Sequence, residues 1–442
     1  MLLLHVEIYL GGYVMKPIVF HLFLAVPFFL SFTILSALGV PKKDYGAIEI
    51  SYDAWGIPHV VSETDAGAFY GLGYVTAMQR GFQMHYNLRI IQGRCAEAIG
   101  NVTKVRGRGT ALQSDKAMRT IGYYRAAKRL ALKLEPEAQG FLQAYSEGVN
   151  DYFIENDDQL HYLFDRYDIY PELWTPADCI VSWWHMGQFF SPDGLRELVP
   201  YHRMHPPKGA KEPPSRGRGG RGGRRTPPEN PPVDDAAAVV KKDDVEEGWL
   251  SLLQTFYKEY QNLPKEKDSG GDGPKFSHAW VIGKDKSKSG SAVLVSDPQT
   301  PVRNPSMFYE YHIKGETLNA RGIGVPGSPA LLIGWNKSVA WGLTALGADQ
   351  ADLFLLQTDN EHPGQYLFDG EWRDFRTFKE TIYVKDRSPV TLVLKESHLG
   401  PVVNSIAADV RPTETVVLKR VPICEQDRDT FQASIGMMRA QN

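Results

Sequence analysis

A serine at the start of a predicted strand is the residue best placed to do chemistry. The glycine-rich stretch GGDGPKF precedes Ser277, and the apolar run SHAWVIG begins with it. Flexible tips are where chains are cut, and a cut between Phe276 and Ser277 would give the serine a free α-amine. Such an amine, with a pKa of about 7.7–8.0, can act as a base at neutral pH. One residue would then supply both the nucleophile and its base.

Other catalytic signatures are missing, and on spacing alone Ser277 also fits an ordinary turn residue. The chain contains no H-E-x-x-H, Ser-x-x-Lys or G-x-S-x-G, which argues against zinc peptidase, serine β-lactamase and α/β-hydrolase sites. The three cysteines lack C-x-x-C spacing, so buried free thiols are the default interpretation; they are Cys95, Cys179 and Cys424.

Helical patterns dominate the chain before residue 206. Residues 47–63 alternate apolar and polar side chains around Gly56 and Pro58, which predicts a pair of strands joined by a turn. Apolar residues then recur at helical spacing over 65–93 and 135–153. A further helix is predicted to begin after Thr175-Pro176, where threonine suits the N-cap and proline the first turn.

Residues 206–232 differ in composition from the rest of the chain: they are rich in proline and glycine, have almost no large apolar side chains and contain the tract SRGRGGRGGRR. So few apolar side chains cannot offset the entropy of ordering, which predicts a flexible spacer. Arginine-glycine tracts also occur in RNA-binding segments, and the net charge of −3 argues neither for nor against nucleic acid as a partner. Because we expect the chain to be exported, we expect a solvated spacer and no nucleic-acid partner. Residues 244–263 predict a short amphipathic helix, and a second flexible run, KEKDSGGDGPK, follows it, so the spacer is placed over 206–276.

Strand patterns dominate after the spacer. Short apolar or alternating runs are separated by Gly, Pro, Asn and Lys turns at 277–283, 291–297, 307–315, 330–336, 339–346, 381–384 and 390–395. Together with the helix-rich first half, these runs predict an α+β protein.

An uncharged apolar segment near the start of the chain predicts export. Residues 17–41 contain no Asp, Glu, Lys or Arg, and Ala37 and Gly39 provide the small residues of a signal-peptidase site. The alternative is an uncleaved membrane anchor over 17–40, because the run approaches the ~20 residues that span a bilayer. The expected location is secreted or periplasmic, or membrane-anchored if the segment is retained.

Ordered motifs on both sides of the spacer resemble the penicillin acylase (penicillin amidase) family of N-terminal-nucleophile hydrolases. They are YDAWGIPHVVSETDAG, Q-R-x-x-Q-M, G-R-x-x-E-x-x-G, SHAWVIG, SDPQT, PGSPALLIGWNKSVAWGLTALGADQADLF and HLGPVV. The resemblance implies a four-layer αββα sandwich and an autoprocessed precursor that hydrolyses linear amides, with a role in antibiotic metabolism. It divides the chain into 1–40 (signal peptide or anchor), 41–205 (α-chain-like), 206–276 (spacer or propeptide) and 277–442 (β-chain-like), with the processed chains associating as a heterodimer.

The resemblance also assigns roles to single residues. Ser277 matches the nucleophile, the Gln299 backbone helps to hold it, and the Ala345 N–H forms part of the oxyanion hole, where a fixed donor lowers the barrier by a few kcal/mol. The resemblance also implies one structural Ca²⁺, a hard cation that takes 6–8 oxygen ligands. Its ligands would be Glu197, Asp349, Ala351 (through its carbonyl) and Asp352; the alternative for these acids is a surface turn.

Several positions depart from the family pattern. His278 replaces the asparagine that usually follows the nucleophile, and Phe276 stands where a small residue is common. Thr300 and Ile333 replace aromatic residues of the phenylacetyl pocket, which leaves an N-acyl-homoserine lactone acylase as an alternative. The block ending at Asn442 precedes the family's second oxyanion donor, so we expect a C-terminally truncated chain. An inactive paralogue that serves as a binding or membrane-anchored protein is the remaining alternative.

Overall fold

The hairpin predicted over 47–63 contains the first two strands that the structure describes. The computed structural model describes residues 43–102, 110–190, 194–205, 277–300, 304–344, 350–421 and 430–442. Strands β1 (Ile48–Tyr52) and β2 (Pro58–Ser62) pair antiparallel. The Asp53 carboxylate closes their turn by accepting the N–H groups of Trp55 (2.9 Å) and Ile57 (3.0 Å), and Gly56 supplies the left-handed φ of 76°.

A 28-residue helix, α1 (Asp65–Gln92), follows the hairpin and agrees with the predicted 65–93. The Thr64 side chain caps it by accepting the Gly67 N–H at 3.0 Å, and Gly93, at φ 68°, ends it. The predicted helices over 135–153 and after Thr175-Pro176 are confirmed as α5 and α7. The remaining bounds are α2 (Cys95–Ile99), α3 (Ala111–Ile121), α4 (Tyr123–Ala131), α5 (Pro136–Glu155), α6 (Leu163–Tyr167), α7 (Pro176–Phe190), α8 (Leu198–Met204) and α9 (Thr430–Arg439).

Helices α1 and α5 pack closely because glycines meet backbone at two points of their contact. A Cβ placed on Gly73 would lie 2.0 Å from the Tyr145 carbonyl oxygen, and one on Gly148 would lie 2.0 Å from that of Tyr70. No side chain fits at such separations, so these glycines set the distance between the two helices.

Replacing Gly148 with alanine is therefore expected to destabilise the protein by about 1–3 kcal/mol, the usual cost of overpacking. Gly140→Ala in the same helix is the matched control, because a Cβ there meets nothing within 4 Å. It should be neutral or stabilising by up to about 1 kcal/mol. Urea unfolding measures both variants, and equal stabilities would contradict the packing described for α1 and α5.

The core between these helices contains a fully buried histidine. The His85 ring contacts the rings of Phe153 (4.9 Å between centroids) and Trp174 (5.5 Å). Neither of its nitrogens has a hydrogen-bond partner in the part of the chain that the structure describes. Burial lowers the pKa of His85 to about 3, with a smaller contribution from Arg89.

This histidine is expected to weaken the fold in acid. The unfolded chain binds its proton near pH 6.5 and the folded protein does not, so the stability present above pH 6.5 is lost as the pH falls toward 3. The loss from His85 between pH 7 and pH 5 is about 2 kcal/mol by this linkage. His85→Leu should remove that part of the pH dependence and exposed His205→Leu should not. Urea titrations at pH 7, 6 and 5 provide the measurement; an unchanged slope in His85→Leu would contradict the expectation.

The second part of the chain supplies the remaining strands. A six-stranded sheet has the order β1-β2-β5-β6-β7-β8, and antiparallel pairs join β3 to β4, β9 to β14, β10 to β11 and β12 to β13. The bounds are β3 (Ser277–Ile282), β4 (Val293–Pro298), β5 (Tyr309–Lys314), β6 (Asn319–Gly324), β7 (Leu331–Asn336), β8 (Ala340–Trp341), β9 (Ala351–Leu356), β10 (Gln365–Phe368), β11 (Glu371–Asp374), β12 (Arg376–Val384), β13 (Arg387–Glu396) and β14 (Thr415–Arg420). The mixed α+β class is as predicted.

The two regions on either side of 206–276 share the large sheet. Strand β2 pairs in parallel with β5, with His59 opposite His312, so the first hairpin completes a sheet built mainly from later residues. Residues Tyr45–Asn442 accordingly form one compact unit. The predicted segments 1–40, 206–276 and the helix over 244–263 lie outside the described residues.

Some strands differ from the sequence patterns. The run at 339–346 forms a strand only over Ala340–Trp341, within its described residues. Strand β6 lacks the alternating large apolar side chains from which strands were predicted, because it contains glycines. One of them, Gly322, lies opposite Gly334 of β7. A Cβ on Gly322 would lie 2.1 Å from the Ile333 carbonyl oxygen, so this pairing requires a residue that strand patterns disfavour.

The structure describes two of the three cysteines. Cys95 and Cys179 are buried free thiols, and Cys424 lies outside those ranges. Among the helices that the structure describes, none combines the length and apolarity that a membrane crossing requires.

Candidate active site

Among the described residues, which resume at 277, Ser277 is the first residue of β3. It lies opposite Pro298 in the antiparallel pairing with β4, and the next pair joins His278 to Asp297. Ser277 is half-buried. Its pair with Pro298 is the first pair of the β3–β4 ladder within the described ranges.

Gln299 is brought to the same end of the ladder, one residue beyond the partner of Ser277. Its side-chain Nε2 donates to the Asp297 carboxylate at 3.1 Å and lies 3.3 Å from His278 Nδ1. His278 Nδ1 and the Asp297 carboxylate are themselves 3.9 Å apart. The residue that departs from the family pattern, His278, is thus part of a polar group beside the candidate nucleophile.

The sequence reasoning missed Asp297 in this group. The nearness of the two strand-like runs in the sequence favours an antiparallel pair, but the register that places Asp297 opposite His278 comes from the structure. The carboxylate is exposed, like His278, so the group resembles a solvated polar rim more than a buried relay.

The chain that leads to Ala345 runs beside β4. Leu343 donates its N–H to Ser296 Oγ at 3.2 Å, and a Cβ on Gly342 would lie 2.6 Å from the Ser296 Cβ. Ala345 itself lies outside the described residues. These contacts place residues 342–343, which shortly precede Ala345, against β4, the strand that pairs with β3.

Two of the candidate calcium ligands come together from separate regions of the chain. Glu197 Oε1 and the Ala351 carbonyl oxygen lie 2.9 and 3.5 Å from the position of a Cβ built on Gly194, and Glu197 Oε2 accepts the Leu353 N–H at 3.0 Å. Asp352 is exposed on β9, opposite Lys419, and Asp349 is outside the described ranges. Over the described residues, no group of three or more His, Cys, Asp or Glu side chains forms a metal cluster.

Polar contacts, most of them part-buried, tie the region before residue 206 to residues after 277. At the N-terminus of α1, the Asp65 carboxylate accepts the N–H groups of Thr317 (2.9 Å) and Leu318 (3.1 Å) and pairs with Arg439 at 2.7 Å. A second group joins α3 and α4 to β12 and β13, where Arg119 pairs with Glu380 at 2.9 Å; Arg125 pairs with Glu380 and Glu396 in the same group. These contacts join residues that precede 206 to residues that follow 276.

Comparison with known proteins gives this arrangement its context. A family model described as "Penicillin amidase" matches residues 47–442, which includes the hairpin, α1, the Ser277 strand and the β9 region. The chain belongs to the penicillin amidase family.

Two individual relatives share about a quarter of their aligned residues with the chain. The chain is 27% identical over 402 residues to "Acyl-homoserine lactone acylase QuiP" of Pseudomonas fluorescens (strain Pf0-1), covering 89% of this chain and 46% of that protein. It is 26% identical over 439 residues to "Penicillin G acylase" of Escherichia coli, covering 91% and 50%. The chain thus spans about half the length of the curated relatives it matches. A thermostable penicillin G acylase structure from Alcaligenes faecalis overlaps 38% of this chain and 29% of its own, at 25% identity and a TM-score of 0.32, too little overlap to define the fold.

Proposed function

We propose that the chain is the precursor of an N-terminal serine amidohydrolase that cleaves linear amides. The observation that carries this proposal is the position of Ser277, which begins β3, pairs opposite Pro298 and has Gln299 beside it, within a chain that matches the family on both sides. Cleavage before Ser277 would release an α-amine at the end of this ladder. We further propose that the family's four-layer αββα sandwich, export through residues 1–40 and association of the two processed chains apply here.

The proposed reaction is acyl transfer in two steps. Ser277 Oγ attacks the carbonyl carbon of the amide while its own α-amine accepts the hydroxyl proton. The C–N bond then breaks as that proton passes to the leaving amine, which leaves an ester on Ser277. Water repeats the attack with the same base and releases a carboxylic acid. The Ala345 N–H is the proposed donor to the oxyanion, and the Gln299 backbone holds the serine and acyl group.

Two assays distinguish between the two candidate substrate classes. Phenylacetyl amides and long-chain N-acyl-homoserine lactones are both linear amides, and the named relatives include acylases for penicillin G and for acyl-homoserine lactones. Thr300 and Ile333 stand at positions where the phenylacetyl pocket carries aromatic residues, which favours the longer aliphatic acyl group as the second candidate. Release of the free amine from each substrate should identify the class; release from neither would favour the non-enzymatic paralogue.

We also propose one structural calcium ion at the junction of α8 and β9. The convergence of Glu197 Oε1 and the Ala351 carbonyl supports it, since both are oxygen donors of the kind that Ca²⁺ prefers. Asp349 and Asp352 would complete the set, and the ion would bind residues from both processed chains without taking part in the reaction.

Calcium is therefore expected to stabilise the wild-type protein, by about 2.7 kcal/mol when its free concentration is 100 times Kd. Thermal unfolding in millimolar CaCl₂ and in EGTA measures this. Glu197→Gln keeps an acceptor for the Leu353 N–H but removes the charge, so its melting temperature should no longer respond to calcium. Exposed Glu371→Gln should respond like wild type. Equal wild-type melting temperatures in CaCl₂ and EGTA would refute the site.

A further inference from the structure

A pocket of about 260 Å³ opens between helix α1, the end of α5 and the segment 160–164. Neither Ser277 nor Gln299 lines it. Its polar lining includes Arg80 and Gln83, and its apolar lining includes the rings of Phe82, Tyr162 and Phe164. A guanidinium group therefore shares one small cavity with several aromatic rings.

Arg80 uses only part of its hydrogen-bonding capacity. Its Nη1 atom donates to the Ser306 carbonyl oxygen at 3.2 Å and to Gln83 Oε1 at 3.3 Å. The guanidinium also lies 5.5 Å from the centroid of the Tyr309 ring. Within the described ranges, its Nε–Nη2 edge has no acceptor and no carboxylate pairs with it. That edge is the one that binds a carboxylate through two parallel hydrogen bonds.

The neighbouring half-buried and buried arginines are paired differently. Arg89, nine residues further along α1, pairs with Glu172 at 3.0 Å, and Arg94 pairs with both Glu97 and Glu172. Arg80 is half-buried, and burial lowers its pKa. A positive charge partly removed from water is stabilised when an anion pairs with it.

We propose that this pocket binds a small carboxylate that carries a single aromatic ring. The carboxylate would accept two hydrogen bonds from the Nε–Nη2 edge of Arg80, and the ring would pack among Phe82, Phe164 and Tyr162. A single ring fits the available space, because a volume of about 260 Å³ is just below the range of about 300–1,000 Å³ typical of pockets for drug-sized ligands.

Calorimetric titration of the whole protein with benzoate tests the site, with benzamide as a neutral molecule of the same shape. Benzoate should bind at least tenfold more tightly than benzamide. Arg80→Gln should weaken benzoate binding by about 10- to 100-fold, the effect of losing a charged hydrogen-bonded partner. Arg166→Gln makes the same change of charge at an exposed position and should leave binding unaltered.

Tyr162→Ala provides a second test that does not depend on Arg80 variants folding, because Tyr162 is 46% exposed. It should weaken benzoate binding about tenfold and leave the melting temperature of the free protein within a few degrees of wild type. Inorganic phosphate should bind more weakly than benzoate, and binding as tight as that of benzoate would show a general anion site. The proposal would be overturned by phosphate binding as tight as benzoate binding, or by equal affinities for benzamide and benzoate. It would also be overturned if Arg80→Gln and Tyr162→Ala both bound benzoate as tightly as the wild-type protein does.

Discussion

Replacing Ser277 with alanine is expected to abolish chain cleavage and to reduce amide hydrolysis by at least about 10³-fold. The variant loses the hydroxyl that attacks the carbonyl, and removal of a nucleophile typically costs far more than removal of a supporting residue. Strand β3 should be unaffected, because its pairing with β4 uses backbone groups. Gel electrophoresis of the purified variant and release of amine from each amide substrate provide the two measurements.

Two further variants separate the chemistry at Ser277 from its structural effects. Ser277→Cys retains a nucleophile and an α-amine after cleavage, so it should still be cut in at least part of the population. Ser289→Ala removes an exposed serine in the turn between β3 and β4, whose hydroxyl hydrogen-bonds with Ser287 Oγ and accepts the Ser291 N–H. It should behave like wild type. Amide hydrolysis at the wild-type rate by Ser277→Ala would show that another residue is the nucleophile.

Replacing Asp65 with alanine is expected to destabilise the protein by about 3 kcal/mol, the lower end of the cost of breaking a buried ion pair. The change leaves Arg439 without one of its carboxylate partners and removes the acceptor of the Thr317 and Leu318 N–H groups. Because these partners follow residue 276 in the sequence and Asp65 precedes residue 206, dissociation of the two proposed chains should also become easier. Urea unfolding and gel filtration of the variant measure the two effects.

The same carboxylate gives a pH signature. Burial alone would raise the pKa of Asp65, but the hydrogen bonds from Thr317 and Arg439 lower it below the ordinary 3.8. Its contribution is therefore present above about pH 4 and lost as the pH falls through the folded-state pKa, so wild type and Asp65→Ala should converge in strong acid. Exposed Glu63→Ala is the control and should change stability by less than about 0.5 kcal/mol. An Asp65→Ala variant as stable as Glu63→Ala would contradict the role given to Asp65.

Local sequence signals predicted the long elements well. The cap at Thr64 and the left-handed Gly93 define α1, and both are visible in the sequence as ordinary start and stop residues. The glycines that let α1 approach α5 carried no such signal, since a close helix contact depends on residues far apart in the chain. Strand β6 escaped prediction for the same reason, because Gly322 suits a neighbour, Gly334, rather than a strand pattern.

In the candidate site too, some residues were predicted from the sequence and others were found only from the structure. Ser277 and Gln299 were predicted from motifs, and the structure places them at one end of the β3–β4 ladder. The group formed by His278 and Asp297 depends on strand register, which the sequence did not fix. The Asp65–Arg439 pair joins residues that are 374 positions apart in the chain. No local pattern encodes such a pair, so only the folded arrangement reveals it.

The most direct test of the proposed chemistry is the N-terminal sequence and intact mass of the polypeptides in the purified protein. Cleavage between Phe276 and Ser277 should yield two associated polypeptides, one of which begins Ser-His-Ala-Trp. The Ser277→Ala protein, prepared in parallel, should remain uncut. A wild-type chain that stays intact, or one that is cut only at other bonds, would contradict the assignment of Ser277 as an N-terminal nucleophile.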